Sequence, residues 1–211
     1  MLKLIYLARR KPGFTFDEFV RRWRKHGALG MELSIWRHAV GYVQAEPIRP
    51  APIPGASEEF DAVACFMVHD EMFTDRTEED VAASRKMAED ELETFSASIP
   101  TTSLWVKEER IKPGELGGIT AYLFFGNVAA AREIAERARA AADLNRITLN
   151  LRDDERLGPK INTLPFQAVL ELSAASVPTL AAAVGSDGHA LLPASDIAVV
   201  TREAVLWDRL P

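Results

Sequence analysis

The sequence predicts an α+β fold in which one βαββαβ order, about a hundred residues long, is written twice. Three observations carry this reading. Residues 2–8, Leu-Lys-Leu-Ile-Tyr-Leu-Ala, open a first half and residues 119–125, Ile-Thr-Ala-Tyr-Leu-Phe-Phe, open a second, so that Tyr6 lines up with Tyr122. Each half closes on a similar strand, Ser103-Leu-Trp-Val-Lys and Val205-Leu-Trp-Asp-Arg, which matches Trp105 to Trp207. Between them Ile111-Lys-Pro-Gly-Glu-Leu-Gly-Gly118 carries chain breakers at both ends. Two units are therefore expected, residues 1–112 and 117–211, and the first alone sets a Trp and a His, Trp23 and His26, on one helical face.

The elements of the first half follow from local chemistry. Residues 2–8 form a nearly continuous apolar run that stops at Arg9-Arg10-Lys11-Pro12-Gly13, where Pro-Gly marks a turn. Thr15-Phe16-Asp17-Glu18 is a capping box, and Phe16, Phe19, Val20 and Trp23 then share one helical stripe. His26 sits at the edge of that stripe, and Gly27 and Gly30 are expected to loosen or end the helix. Residues 35–45 alternate as a strand, with Trp36, His38, Val40, Tyr42 and Gln44 on one face. The Pro-rich tract after Glu46 reads as a rigid connector rather than a lid. Phe60–His69 is the third strand, residues 77–95 an acid-rich amphipathic helix, and Thr102–Arg110 the last strand. The second half repeats the order: strand 119–125, helix 128–142, strands 145–152 and 166–173, helix 177–184, strand 197–207.

Composition excludes several classes. With 211 residues, 47% of them hydrophobic, the chain can bury a core, and its net charge of −6 argues against nucleic acid. The cluster Arg21, Arg22, Arg24 and Lys25, with Arg9, Arg10 and Lys11, is expected to be a solvated face, with an anion-binding rim as the alternative. A single Cys65 in an apolar run excludes an internal disulfide and reads as a buried thiol. No run approaches the roughly 20 apolar residues of a membrane span, and the start has no signal-peptide pattern. A soluble, cytoplasmic protein is expected. Gly-rich phosphate loops, a P-loop and a nucleophile elbow are missing, and no His/carboxylate set has metal-ligand spacing. No metal and no cofactor are therefore assigned.

Each candidate site residue has a bland alternative. His26 suits proton transfer near neutral pH, or simply ends a helix favourably. Trp23 is core or ligand contact; Trp36 and Tyr42 share a strand face with His38, which is a second pocket group or a satisfied strand His. Tyr6 and Tyr42 offer a ring and a polar tip. Asp61 orients a His or begins a strand, His69 caps the helix after it, and His189 lies in a surface loop.

The tract from Lys3 to His26, with its apolar strand, Lys-Pro-Gly turn, acidic helix start and a Trp three residues before a His, resembles the EthD-like family of dimeric α+β barrels. Gly41-Tyr-Val-Gln and Phe60-Asp61-Ala are similar to the family's second and third strands. The resemblance covers residues 1–110, and over 118–211 only strand order and a few aromatics persist. It implies two tandem ferredoxin-like units whose sheets close a barrel within one chain, as a monomeric pseudo-dimer or a homodimer. It also implies a barrel pocket for a small aromatic or polyketide-like molecule, with His26 as acid or base. Three functions follow: a cofactor-independent lyase or isomerase (dehydration, decarboxylation or isomerisation), a non-catalytic accessory protein, or an oxidative role beside oxygen or a P450 system.

Overall fold

The computed structural model describes residues 1–157, 162–185 and 191–210; His189 lies outside them. The first half runs β1 (Leu2–Ala8), α1 (Phe16–Met31), β2 (Ala39–Pro47), β3 (Ala62–Val68), α2 (Glu78–Thr94) and β4 (Ser103–Lys112). The second runs β5 (Gly118–Phe125), α3 (Val128–Arg139), β6 (Arg146–Arg152), α4 (Asp154–Leu157), β7 (Ala168–Ala174), α5 (Val177–Gly185) and β8 (Ile197–Asp208). The strands form one closed antiparallel barrel in the order β1-β3-β2-β8-β5-β7-β6-β4. Each half thus contributes a sheet of ferredoxin-like order, β4-β1-β3-β2 and β8-β5-β7-β6. The two sheets join through β2 with β8 and β4 with β6. The expected fold class is the observed one, and closure leaves no sheet edge unpaired.

Strand alternation assigns the two faces. In β1, Ile5 and Leu7 point into the barrel with Val43, Val63, Cys65, Phe124 and Val169, while Tyr6 and Ala8 point outward under α1. In β5 the inward residues are Tyr122 and Phe124, and the outward ones Ile119, Ala121, Leu123 and Phe125 pack on α3 and α5. The sequence match of Tyr6 to Tyr122 is therefore corrected. It is off by one residue, and with a side-chain period of two a single slip exchanges faces. The Tyr122 hydroxyl donates to Glu203 at 2.7 Å inside the barrel.

The capping box holds: Thr15 and Glu18 bond reciprocally at the start of α1, as Thr77 and Asp80 do at α2. Gly27 and Gly30 do not end α1, which runs to Met31. A side chain on Gly27 would bring Cβ within 2.8 Å of the Gln44 side-chain nitrogen and 3.0 Å of Tyr42, so this glycine serves close approach of α1 to β2. The strand expected over 35–45 begins only at Ala39. Residues 34–38 form a 3-10 turn, and a register shift between Ala39 and Gly41 places Val40 in the barrel interior, opposite Tyr42. Alternation in the sequence concealed the turn because Trp36 folds back on Tyr42 and Phe66 from the turn rather than from a strand. The Pro-rich tract is a connector, as expected: the amides of Ile48 and Ser57 donate to Val200 and Ala198, and Ile53 is buried against the second half. Among the described residues no helix is long and apolar enough to cross a membrane.

The barrel interior is not wholly apolar. Lys3 of β1 lies 2.5 Å from Glu171 of β7 and 2.9 Å from Glu108, and Arg146 pairs with Glu203 at 2.6 Å and Glu171 at 3.4 Å. Burial alone would strip the Lys3 charge, but Glu171, with Cys65 and Glu108, outweighs it and moves its pKa above the ordinary value. Glu108, which burial would raise, is held down to about 2 by Lys3 and Arg110. Replacing one partner strands the other in low dielectric. Lys3→Met is expected to cost about 3–5 kcal/mol in urea unfolding; a loss below about 1 kcal/mol would show that the network contributes little.

Candidate functional site

A cavity of about 380 Å³ lies between the outward face of the first sheet and helices α1 and α2. Leu4, Tyr6, Tyr42, Phe66, Ser103 and Trp105 form its floor; His26, Gly27 and Gly30 of α1 and Ser84, Met87, Ala88 and Glu91 of α2 form its walls. Ile35, Trp36, Met72, Ile99 and Pro100 complete it. The barrel pocket expected from the sequence is corrected by this position: the cavity lies outside the barrel. An eight-stranded barrel is just wide enough for its own side chains to fill. A smaller space of about 150 Å³ opens among Lys3, Glu108, Arg146 and Glu171, whose charges already satisfy one another.

His26 is buried in the interior of α1, so a role in ending the helix is ruled out. Its Nδ1 lies 2.7 Å from Asp90 Oδ2 on α2, and Arg22 clamps the same carboxylate at 2.5 and 3.1 Å. Burial would raise Asp90, but Arg22 and His26 hold it below the ordinary carboxylate value. Asp90 is then an acceptor only, so Nδ1 carries the hydrogen and Nε2 keeps its lone pair. Nε2 has no hydrogen-bond partner among the described residues, and the ring lines the cavity. Burial lowers the His26 pKa, with Asp90 pulling the other way and Arg22 adding to the fall. The imidazole is neutral at pH 7 and available as a base.

Two phenols lie on the cavity floor. Trp23 Nε1 donates to the Tyr6 hydroxyl at 2.7 Å, and Gln44 Nε2 donates to the Tyr42 hydroxyl at 2.9 Å; the two hydroxyls are 3.4 Å apart. Arg24 in turn bonds the Gln44 oxygen. One phenol spends its hydrogen on the other, so one O–H remains for a bound molecule. Burial raises both phenol pKa values, Tyr6 well above the ordinary value, so both stay protonated at neutral pH.

Four of the six sequence candidates, Tyr6, His26, Trp36 and Tyr42, meet at this cavity. Trp23 lies behind it as the donor to Tyr6, stacked on Phe19 at 5.8 Å. His38 ends the 3-10 turn, buried, with Nε2 unpaired and away from the cavity lining. The turn, absent from a strand reading, moved it. Asp61 holds Arg10 and Arg49 at 2.6 and 2.9 Å rather than orienting a His, and His69 makes no side-chain cap. The expected solvated basic face is corrected in part: Arg22, Arg24 and Lys11 pair with Asp90, Glu46 and Glu93. Glu91 was missed. Its signal was the helical spacing of Ser84, Met87, Ala88 and Glu91 within a helix read as acid-rich and amphipathic. Among the described residues no group of three or more His, Cys, Asp or Glu side chains could hold a metal ion.

No protein-family model matches the chain, and no curated protein sequence does. Among solved structures it is similar to an anthrone oxidase-like protein, with TM-score 0.57, 8% identity, and 99% of this chain and 94% of that one covered. It is also similar to a protein provisionally named a chlorite dismutase, with TM-score 0.54, 9% identity and coverage of 96% and 95%. A Fusobacterium nucleatum protein provisionally named a monooxygenase gives TM-score 0.53, 8% identity and coverage of 97% and 92%. At such identities the likeness shows the fold, that of the dimeric α+β barrels.

The sign of the His26 environment can be measured. Asp90→Asn removes the carboxylate that raises His26, so its ring titration in NMR is expected to move further below about 6.5; a rise would refute the pairing. With the folded pKa beneath the unfolded one, His26 costs stability as the pH falls from about 6.5 through the folded value, and none above it. His26→Gln is expected to flatten that slope.

Proposed function

We infer that this protein binds a small, flat, largely apolar molecule of aromatic or polyketide type in the cavity under α1 and α2, and moves a proton at His26 Nε2. The reaction class is that of a cofactor-independent lyase or isomerase. The observation that carries the reading is the His26 ring in the cavity wall, one nitrogen fixed by Asp90 and the other unpartnered. Trp36, Phe66, Met72, Met87 and Trp105 supply apolar walls, and the spare O–H of the Tyr6–Tyr42 pair suits a carbonyl that gains negative charge as an enolate. The EthD-like resemblance of residues 1–110 supports the same assignment.

Anthrone tests it, because its methylene is acidified by a ring carbonyl and exchanges through the enol. Binding is expected to quench the Trp36 and Trp105 fluorescence. Gly30→Leu, which extends a side chain toward Met87 and Trp36, is expected to abolish binding while circular dichroism is unchanged. Protein-dependent exchange of the methylene hydrogens in deuterated water is expected to fall about 10²–10⁴-fold in His26→Ala. Binding without exchange in the native protein would leave a carrier and remove the enzyme.

The names of the structural neighbours support a second reading, direct oxidation of an electron-rich phenol or anthrone in the same cavity. Oxygen uptake with anthrone would establish it, and exchange without uptake would exclude it.

A further inference from the structure

The cavity holds a second titratable group that the His26 reading does not use. Glu91 reaches the cavity from α2, one residue after the Asp90 that holds His26. Ile99 N–H donates to one of its oxygens at 3.0 Å, and the other has no hydrogen-bond partner among the described residues. No Lys or Arg lines the cavity, so neither a carboxylate of Glu91 nor an ionised carboxylate on a ligand would meet a cation there. Burial and the neighbouring Asp90 both favour the protonated form of Glu91, while the Ile99 amide opposes them. The Tyr6 phenol also feels Glu91. His26 moves down from its ordinary value and Glu91 up from its own, so the cavity wall carries a base and a carboxyl whose titrations approach one another.

We propose that Glu91 is the general acid of this site and that its substrates are neutral cyclic β-hydroxy ketones, from which it eliminates water. The proposal rests on the His26 reading above and adds the reaction. His26 Nε2 takes the proton from the carbon between the carbonyl and the hydroxyl-bearing carbon. The C–H electron pair forms the new C=C bond, and the C–O bond to the hydroxyl breaks. Glu91 gives its proton to the departing oxygen, and water leaves. The products are an enone and water, with His26 protonated and Glu91 ionised; the proton returns from one to the other through solvent. No electrons are exchanged with a second reactant. Decarboxylation fits less well, because a substrate carboxylate would find no cation in the lining, and isomerisation needs no acid aimed at a leaving group. The cavity volume suits two or three fused rings.

The test uses the full chain, 3-hydroxy-1-tetralone as probe, and Glu91→Gln, which keeps an oxygen to accept from Ile99. Loss of water gives an enone that tautomerises to fluorescent 1-naphthol. The native protein is expected to form 1-naphthol and to exchange the anthrone methylene. Glu91→Gln is expected to form 1-naphthol about 10²–10⁴-fold more slowly and to lose far more of this elimination than of anthrone exchange, which has no leaving group to protonate. Native elimination rates in Glu91→Gln, or no 1-naphthol from a native protein that still exchanges anthrone, would overturn the proposal and leave the His26 reading standing. Loss of anthrone binding together with both reactions in Glu91→Gln would overturn it in favour of a structural role. A native protein that performs neither reaction would overturn both.

Discussion

Everything in this molecule depends on closing two four-stranded sheets into one barrel. Each sheet would otherwise expose two edges, and both are consumed in the pairing of β2 with β8 and β4 with β6. Closure also creates an interior too narrow to leave empty. Most of it is filled by aliphatic and aromatic side chains from both halves, but Lys3, Glu171, Arg146 and Glu203 occupy one end. Such groups cannot be placed there singly, since a buried charge without a partner costs several kcal/mol. Their mutual pairing joins β1 of one half to β7 of the other, so the charge network and the strand closure specify the same arrangement.

With most of the barrel interior taken by side chains, the larger cavity lies on an outward face beneath helices. The two halves differ in how that face is filled. Under α3 and α5, Leu123, Leu170, Leu172, Ile134 and a series of alanines pack into one mostly aliphatic core. Under α1 and α2, large rings lean against each other at edges and angles, as in Trp36 on Tyr42, Phe66 and Trp207, and a cavity remains among them. The second half backs the cavity from behind. Trp207 and Leu206 of β8 support the wall, and the Trp207 indole donates to Ala39 at the start of β2.

The chemistry of the site follows from competition between burial and pairing. Taking His26 out of water disfavours its cation, and Asp90 offsets this only in part because Arg22 shares the same carboxylate. Asp90 therefore does more to orient the ring than to charge it. Glu91, on the same helix, has no guanidinium beside it, and burial acts on it without that opposition. Two acidic residues adjacent in sequence thus meet opposite electrostatic surroundings on the sides of α2 they occupy.

Much of this was legible in the sequence. The capping box at Thr15, breakers at 113–118 and period-two runs gave the order of the main strands and helices, because those signals act within a few residues. His26, Tyr6, Trp36 and Tyr42 were recognisable as candidates from residue type and spacing. What local pattern could not decide was anything set by partners far along the chain. The faces of Tyr6 and Tyr122 depended on a one-residue register, and the withdrawal of His38 on a 3-10 turn that replaced strand. Glu91 faced the cavity because α2 packs on α1, and the larger cavity lay outside the barrel because most of the interior was taken by side chains. Local hydrogen bonds and hydrophobic periodicity determine which elements form; only the closed barrel, through the volume it leaves and the charges it buries, decides where their side chains can meet a ligand.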